Sequence, residues 1–166
     1  YMLLEVSLIQ RSILTMGNPI TASAVIIGAL LCFSAIGSYY SSRFSIRSVL
    51  PFVLLGIGFL IILFALIGDG LSNWLVSFNF SYRLIILVLS ISPLALLMGM
   101  AFPMGMKLLS EHNPDQIPIA WGVNGFFSVL AAPIATIIAV ESGFVQVLFL
   151  SAIIYLLCIL VVFRKA

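Results

Sequence analysis

The chain has 166 residues, of which 63% are hydrophobic and only 7% are charged, with a net charge of +2. A soluble domain carries about 25% charged residues because its surface faces water, so the composition excludes soluble globular, disordered and disulfide-stapled classes. A polytopic membrane protein remains, and we expect no nucleic-acid partner.

Apolar runs of membrane-spanning length follow one another along the chain. A hydrocarbon core of about 30 Å needs roughly 20 apolar residues of helix. The first run is shorter and carries charges, but Asn18-Pro19 suits the start of a following helix. The six predicted transmembrane helices cover residues 1–17, 20–40, 49–68, 84–106, 117–140 and 143–163. The predicted fold class is therefore an all-α polytopic membrane helix bundle, forming a single transmembrane domain over 1–166.

The basic residues predict the orientation of these helices. If the helices alternate in direction, one side carries Arg43, Arg47, Lys107, Arg164 and Lys165. The other side has only Arg83. Cytoplasmic loops are enriched in Lys and Arg, so we expect both ends of the chain to be cytoplasmic. Because the chain enters an apolar run directly at Tyr1, we also expect it to be a fragment of a longer chain.

The connection between the third and fourth helices has two features of its own. A short amphipathic interfacial helix over about 71–78 is predicted by apolar residues at i, i+3, i+4 and i+7, namely Leu71, Trp74, Leu75 and Phe78. It would be a surface-lying connector or a lid. Asp69, between two glycines, indicates a turn.

Three polar side chains lie inside the first run: Glu5, Gln10 and Arg11. A charge at the middle of a span costs about 2.5–3.5 kcal/mol, so such residues need a partner or a function. Glu5 and Arg11 are separated by about 240° around a helix and therefore do not pair with each other. We expect the polar side chains of the first run either to line a translocation path or proton-coupled site, or to make structural contacts with other helices.

A second polar group is predicted where the fourth and fifth helices meet. Pro103 lacks an N–H and crowds the carbonyl of Gly99, and a carbonyl freed in a membrane needs a partner helix or a polar cavity. Pro103 is therefore expected to break or kink the fourth helix. Trp121 and Asn124, in the fifth helix, would line a ligand pocket together with this break. Alternatively, the fifth helix packs on a neighbour through a face of small residues, Gly125, Ser128 and Ala132.

Catalytic and metal-binding patterns are missing from the sequence. Cys32 and Cys158 lie inside apolar runs and are interpreted as small hydrophobic residues. His112 has no second His or Cys nearby, which excludes a metal-site pattern, and no nucleotide-binding glycine loop or acidic pair occurs. We therefore expect no cofactor and no enzymatic activity for this chain alone.

Several segments together resemble a known family. They are 5–11 (EVSLIQR), 17–19 (GNP), 37–38 (GS), 102–109 (FPMGMKLL) and 120–129 (AWGVNGFFSV). In this order they are similar to the C-terminal transmembrane region of multi-pass bacterial proteins that carry a spermidine-synthase-like domain. The resemblance implies an upstream cytoplasmic, Rossmann-type domain that is aminopropyltransferase-like or methyltransferase-like, and a multi-pass location in the bacterial inner membrane.

The resemblance leaves two functional hypotheses. In the first, the chain is a membrane domain that binds or transports a small metabolite such as an amine, with a candidate site of Glu5, Gln10, Arg11, Pro103, Trp121 and Asn124. In the second, it is a non-catalytic anchor or an accessory subunit of a larger membrane complex, with the lipid bilayer and other subunits as partners. A weaker likeness, over 37–47 (GSYYSSRFSIR), is to a six-helix half of a major-facilitator-type transporter.

Overall fold

The computed structural model describes residues 1–165, with side chains through residue 162. Over these residues the chain forms six α-helices and no strand. They are α1 (Met2–Met16), α2 (Pro19–Ser41), α3 (Ile46–Leu75), α4 (Phe80–His112), α5 (Ile117–Ser142) and α6 (Phe144–Lys165), with a 3₁₀ turn at Pro114–Gln116 before α5. The helices α2 to α6 are long and apolar enough to cross a membrane. The predicted all-α bundle and its multi-pass membrane character are thus confirmed.

The first helix is shorter than the others. With 15 residues, α1 measures about 22 Å, less than the roughly 30 Å of a hydrocarbon core. It ends as its sequence predicts: Gly17 adopts a left-handed conformation with φ 73°, and the Asn18 side chain accepts a hydrogen bond from the Ile20 N–H at 2.8 Å. Pro19 then occupies the first position of α2. The junction between α1 and α2 is therefore sharp and fully capped.

The two longest helices extend beyond their predicted ends. α3 has 30 residues and α4 has 33, about 45 and 50 Å. The prediction of a separate helix over 71–78 was wrong, as was that of a turn at Asp69, because α3 continues unbroken through this segment to Leu75. A glycine costs a helix only about 1 kcal/mol, and the burial of Leu75, which is 1% exposed, holds the last turn against the bundle.

The closest helix packing joins α2 and α4. The Ser34 hydroxyl of α2 donates to the Ala95 carbonyl of α4 at 3.0 Å. A Cβ at Gly37 would overlap the Leu96 carbonyl, and one at Gly99 would overlap the backbone of Ser34. Each helix therefore contributes one glycine that lets the two backbones touch, as small residues do in membrane helix pairs.

The fifth helix lies at the edge of the bundle. Its only buried residues are Ala135 and Ala139, in its second half. Of residues 121–130, all except Ser128 are exposed. A Cβ on Gly125, in the predicted small-residue face, would meet no atom within 4 Å. We call residues 121–130 the exposed half of α5.

The loops define two ends of the bundle. Arg83, near the start of α4, reaches the last turns of α1 and α3, so these three helix ends lie together at what we call the Arg83 end. α2 and α4 both start at the Arg83 end and run away from it. The opposite end therefore contains the loop from α2 to α3 and the last turns of α4. We call it the Arg43 end, after the arginine in that loop.

Candidate functional site

Arg11 is a charged side chain of α1 that contacts α3 inside the bundle. Its guanidinium lies against α3, where Nη1 donates to the Phe64 carbonyl at 3.0 Å and Nη2 donates to Asp69 Oδ1 at 2.5 Å. The Arg11 side chain is 11% exposed, whereas that of Asp69 is 77% exposed. The pair therefore joins a buried cation on α1 to a carboxylate at the bundle surface, and it replaces the water that the guanidinium loses on burial.

Gly68 makes room for this ion pair. A Cβ built on Gly68 would lie 2.7 Å from Arg11 Cζ and 2.8 Å from Nη1, closer than carbon and nitrogen atoms approach. A side chain at this position would therefore push the guanidinium away from its contacts with α3. The neighbouring Gly70 has open space around it, so the requirement is specific to Gly68.

A small cavity adjoins the Arg11 guanidinium. It has a volume of about 30 Å³, and the residues that line it include Ser12 and Thr15 from α1 and Ser72 from α3. A water molecule needs about 10–15 Å³ and two or more polar partners, so the cavity has room for about two waters. Ligand pockets measure roughly 300–1,000 Å³, and this cavity is far smaller.

Arg83 joins three chain segments at the Arg83 end. Its guanidinium donates to the carbonyls of Phe78 at 2.7 Å, Val76 at 2.8 Å and Thr15 at 3.1 Å. The last carbonyls of a helix have no partner within the helix, and a cation is favourable near a helix C-terminus. Arg83 therefore caps the C-terminal ends of α1 and α3 and stabilises the turn between α3 and α4.

The other polar residues of α1 do not join Arg11. Gln10 is exposed and Glu5 is half-buried. Among the described residues, the Glu5 carboxylate has no ion pair within 4.0 Å and no side-chain hydrogen bond. Glu5 lies in the first turn of α1, about 18 Å along the helix from Gly17.

The predicted group on α4 and α5 includes one aromatic contact between the two helices. The rings of Phe102, next to Pro103, and Trp121 meet edge to face with centroids 5.0 Å apart. Trp121 and Asn124 are both exposed, and Pro103 is half-buried in a helix that continues through it. Trp121 and Asn124 therefore lie on the outside of the bundle, whereas Pro103 is partly covered by it.

The six predicted site residues are not gathered in one place. Arg11 alone among them lines the cavity described above. α1 packs through Leu3 and Val6 on a cluster containing Ala135 and Ala139 of α5. Asn124 lies eleven residues before Ala135, about 16 Å further along α5, so Glu5 and Asn124 lie far apart.

Sequence reasoning missed two residues of the polar framework. Asp69 was interpreted as a turn residue, and its partner Arg11 is 58 positions away in the chain. Arg83 was used only for orientation, although it is the one basic residue predicted on its side. An isolated arginine next to a predicted helix boundary was the available signal for a helix-end contact.

Comparisons of the chain with protein-family models, with curated proteins and with solved structures found no match. The fold and the site define an integral membrane helix bundle whose internal polar contacts join helices to one another.

Proposed function

We propose that this chain is a non-catalytic membrane anchoring and assembly module, in which α5 binds a membrane helix of another subunit. The observation that carries the proposal is the exposure of Asn124 at the surface of α5, flanked by Gly122 and Gly125. Internal contacts account for Arg11, Gly68, Asp69 and Arg83. No contact inside the described bundle accounts for Asn124.

The depth of Asn124 makes its exposure costly in lipid. It lies seven residues after the start of α5, about 10 Å along the helix. When α5, which is about 39 Å long, is centred on a hydrocarbon core of roughly 30 Å, the amide falls within that core. An amide without a hydrogen-bond partner in an apolar medium costs several kcal/mol. A partner helix that accepts a hydrogen bond from Asn124 removes this cost.

The glycines beside Asn124 favour a helix as the partner. A Cβ on Gly122 or Gly125 would meet no atom within 4 Å in this chain, so neither glycine is needed for packing inside the bundle. Small residues let a second helix approach closely in a membrane, and Asn side chains hydrogen-bond across such contacts. Phe126 and Phe127, which are 61% and 62% exposed, supply apolar area around this point.

The proposal extends to the family and to the topology. The segment patterns 5–11, 102–109 and 120–129 support assignment as the membrane domain of a spermidine-synthase-like protein of the bacterial inner membrane. Such a protein carries an aminopropyltransferase-like domain on the cytoplasmic side. In this proposal α1 is a sixth span, and local thinning of the bilayer accommodates its short length. The Arg43 end is cytoplasmic.

The assembly role is tested by the size of the complex extracted from native membranes. The tagged chain is solubilised in digitonin and its particle size is compared on native gels with those of Gly125→Leu, Asn124→Leu and a control, Gly28→Leu. Gly28 lies in α2 and also has open space around it. We expect the first two variants to lose the partner and the control to keep it. Equal particle sizes for all four chains would contradict the proposal.

Amine binding is a second candidate, and Glu5 is the observation that favours it. A half-buried carboxylate inside the bundle, with no ion pair among the described side chains, has the charge to bind a cationic amine. Uptake of labelled putrescine into proteoliposomes tests this candidate, with Glu5→Gln compared with Gln10→Ala. Flux that is lost only in Glu5→Gln supports amine binding, and flux that is unchanged in both variants rejects it.

A further inference from the structure

The loop between α2 and α3 carries two arginines that have no acidic partner. Arg43 and Arg47 are exposed, and the only ion pair among the described side chains is the one between Arg11 and Asp69. The loop joins two helices that are apolar enough to cross a membrane. It therefore lies at the depth of the lipid headgroups.

Two tyrosine rings hold Arg43 in place. The guanidinium carbon is 5.4 Å from the ring centroid of Tyr39 and 5.1 Å from that of Tyr40. The two rings meet edge to face at 5.6 Å, and Arg43 Nη2 lies 3.5 Å from the Tyr39 hydroxyl. Cation–π contacts fix the guanidinium over the rings and leave most of its N–H groups directed to solvent.

Arg47 stands where a cation is electrostatically unfavourable. It is the second residue of α3, and the first turn of α3 contains no acidic residue. The N-terminus of a helix carries a partial positive charge that repels a cation and attracts an anion. An anion beside Arg47 would therefore offset this repulsion, and Arg43, four residues earlier in the same loop, supplies a second cation for it.

We propose that Arg43 and Arg47 bind the phosphate of an anionic phospholipid headgroup, with the rings of Tyr39 and Tyr40 packed against its glycerol region. The phosphate chemistry would also suit a soluble phosphate ester. The lipid is the better fit because the rings, 65% and 45% exposed, are amphipathic groups of the kind that settle among headgroups. This inference does not depend on the partner proposed for α5.

The test is native mass spectrometry of the purified chain in detergent with added phosphatidylglycerol or phosphatidylcholine. We expect the wild-type chain to retain phosphatidylglycerol preferentially and Arg43→Gln to weaken this retention about fivefold, the effect of one basic residue at an anionic surface. Lys107→Gln is the matched control, because Lys107 is an exposed cation at the same end of the bundle. It should retain the lipid as the wild type does.

Three results would overturn the proposal. They are equal retention of both lipids by the wild type, an equal loss in Lys107→Gln, and displacement of the lipid by millimolar glycerol phosphate, which would indicate a site for soluble phosphate. Tyr40→Leu provides an independent variant, since it leaves both arginines and should still weaken retention. Arg43 is exposed, so the thermal midpoint of Arg43→Gln in lipid-free detergent should match that of the wild type.

Discussion

The guanidinium of Arg11 occupies the space in which a side chain on Gly68 would lie. A side chain at position 68 would displace the end of the Arg11 side chain from this place. The ion pair to Asp69 and the hydrogen bond to the Phe64 carbonyl both depend on this close approach of α1 to α3.

Replacing Gly68 by alanine should therefore disrupt the contact between α1 and α3. We expect Gly68→Ala to displace the guanidinium and to lower the free energy of unfolding in mixed micelles by about 1 kcal/mol, the net contribution of one hydrogen bond. Gly70→Ala is the control, because its new methyl group meets open space and alanine favours the helix. If both variants unfold alike, the space beside Gly68 is not what positions Arg11.

Asp69 is expected to stabilise the bundle through Arg11 alone. Asp69→Asn removes the charge but keeps the shape of the side chain, and because Asp69 is 77% exposed we expect a loss of about 0.5–1 kcal/mol in the same unfolding measurement. Glu141→Gln removes a carboxylate at another exposed position of a helix end and should have no effect. A loss in Glu141→Gln as large as in Asp69→Asn would mean that net charge, and not the ion pair, sets the stability.

Arg83 should not be replaceable by lysine. Lysine keeps the charge but lacks the planar fork that reaches three carbonyls in different segments. We expect Arg83→Lys to cost about 2–3 kcal/mol, while Arg47→Lys, at an exposed position without such contacts, costs nothing measurable in lipid-free detergent. A stable Arg83→Lys would show that one or two of the three hydrogen bonds are sufficient.

The contact between α2 and α4 predicts a sharp difference among glycines. Alanine at Gly37 or Gly99 would overlap backbone atoms of the other helix, whereas alanine at Gly28 would meet none within 4 Å. We expect Gly37→Ala and Gly99→Ala each to lower the thermal midpoint in detergent, with a cost of about 3 kcal/mol. Gly28→Ala should leave the midpoint unchanged or raise it, and a fall equal to the other two would contradict the packing.

The topology can be tested by cysteine labelling in intact cells. Cys32 and Cys158 are free and exposed, so both are first replaced by alanine. We expect Ser42→Cys, at the Arg43 end, to react with an impermeant maleimide only after the membrane is opened, because basic loops stay cytoplasmic. Ser77→Cys, at the Arg83 end, should react without opening. The reverse pattern would invert the proposed orientation.

The helices themselves could be predicted from the sequence, because apolar runs of this length have few alternatives. The junction at Gly17, Asn18 and Pro19 was also predictable, since these residue types have fixed conformational preferences at helix ends. In contrast, Asp69 between two glycines has the composition of a turn. It lies in a helix because Arg11 and the burial of Leu75 make the helical form more stable, and neither contact is local.

The site was less accessible to sequence reasoning than the fold. Glu5 and Arg11 are unusual in the sequence because charged groups in a membrane are costly, and Asn124 because it follows the proline of the preceding helix, but neither signal tells which helix face meets which neighbour. In the structure the Arg11 side chain lies against α3, and Asn124 is exposed on the outside of the bundle. The direction of each side chain depends on the packing of six helices, which one sequence does not specify.

The most direct test of the account is a photo-cross-linker placed at Asn124 in native membranes. Its matched control is the same cross-linker at Phe59, which lies on α3 and is 64% exposed. We expect a discrete protein adduct at position 124 that disappears when Gly125 is also changed to leucine, and only lipid adducts at position 59. Lipid adducts alone at both positions would mean that α5 faces the bilayer, and would contradict the assembly role.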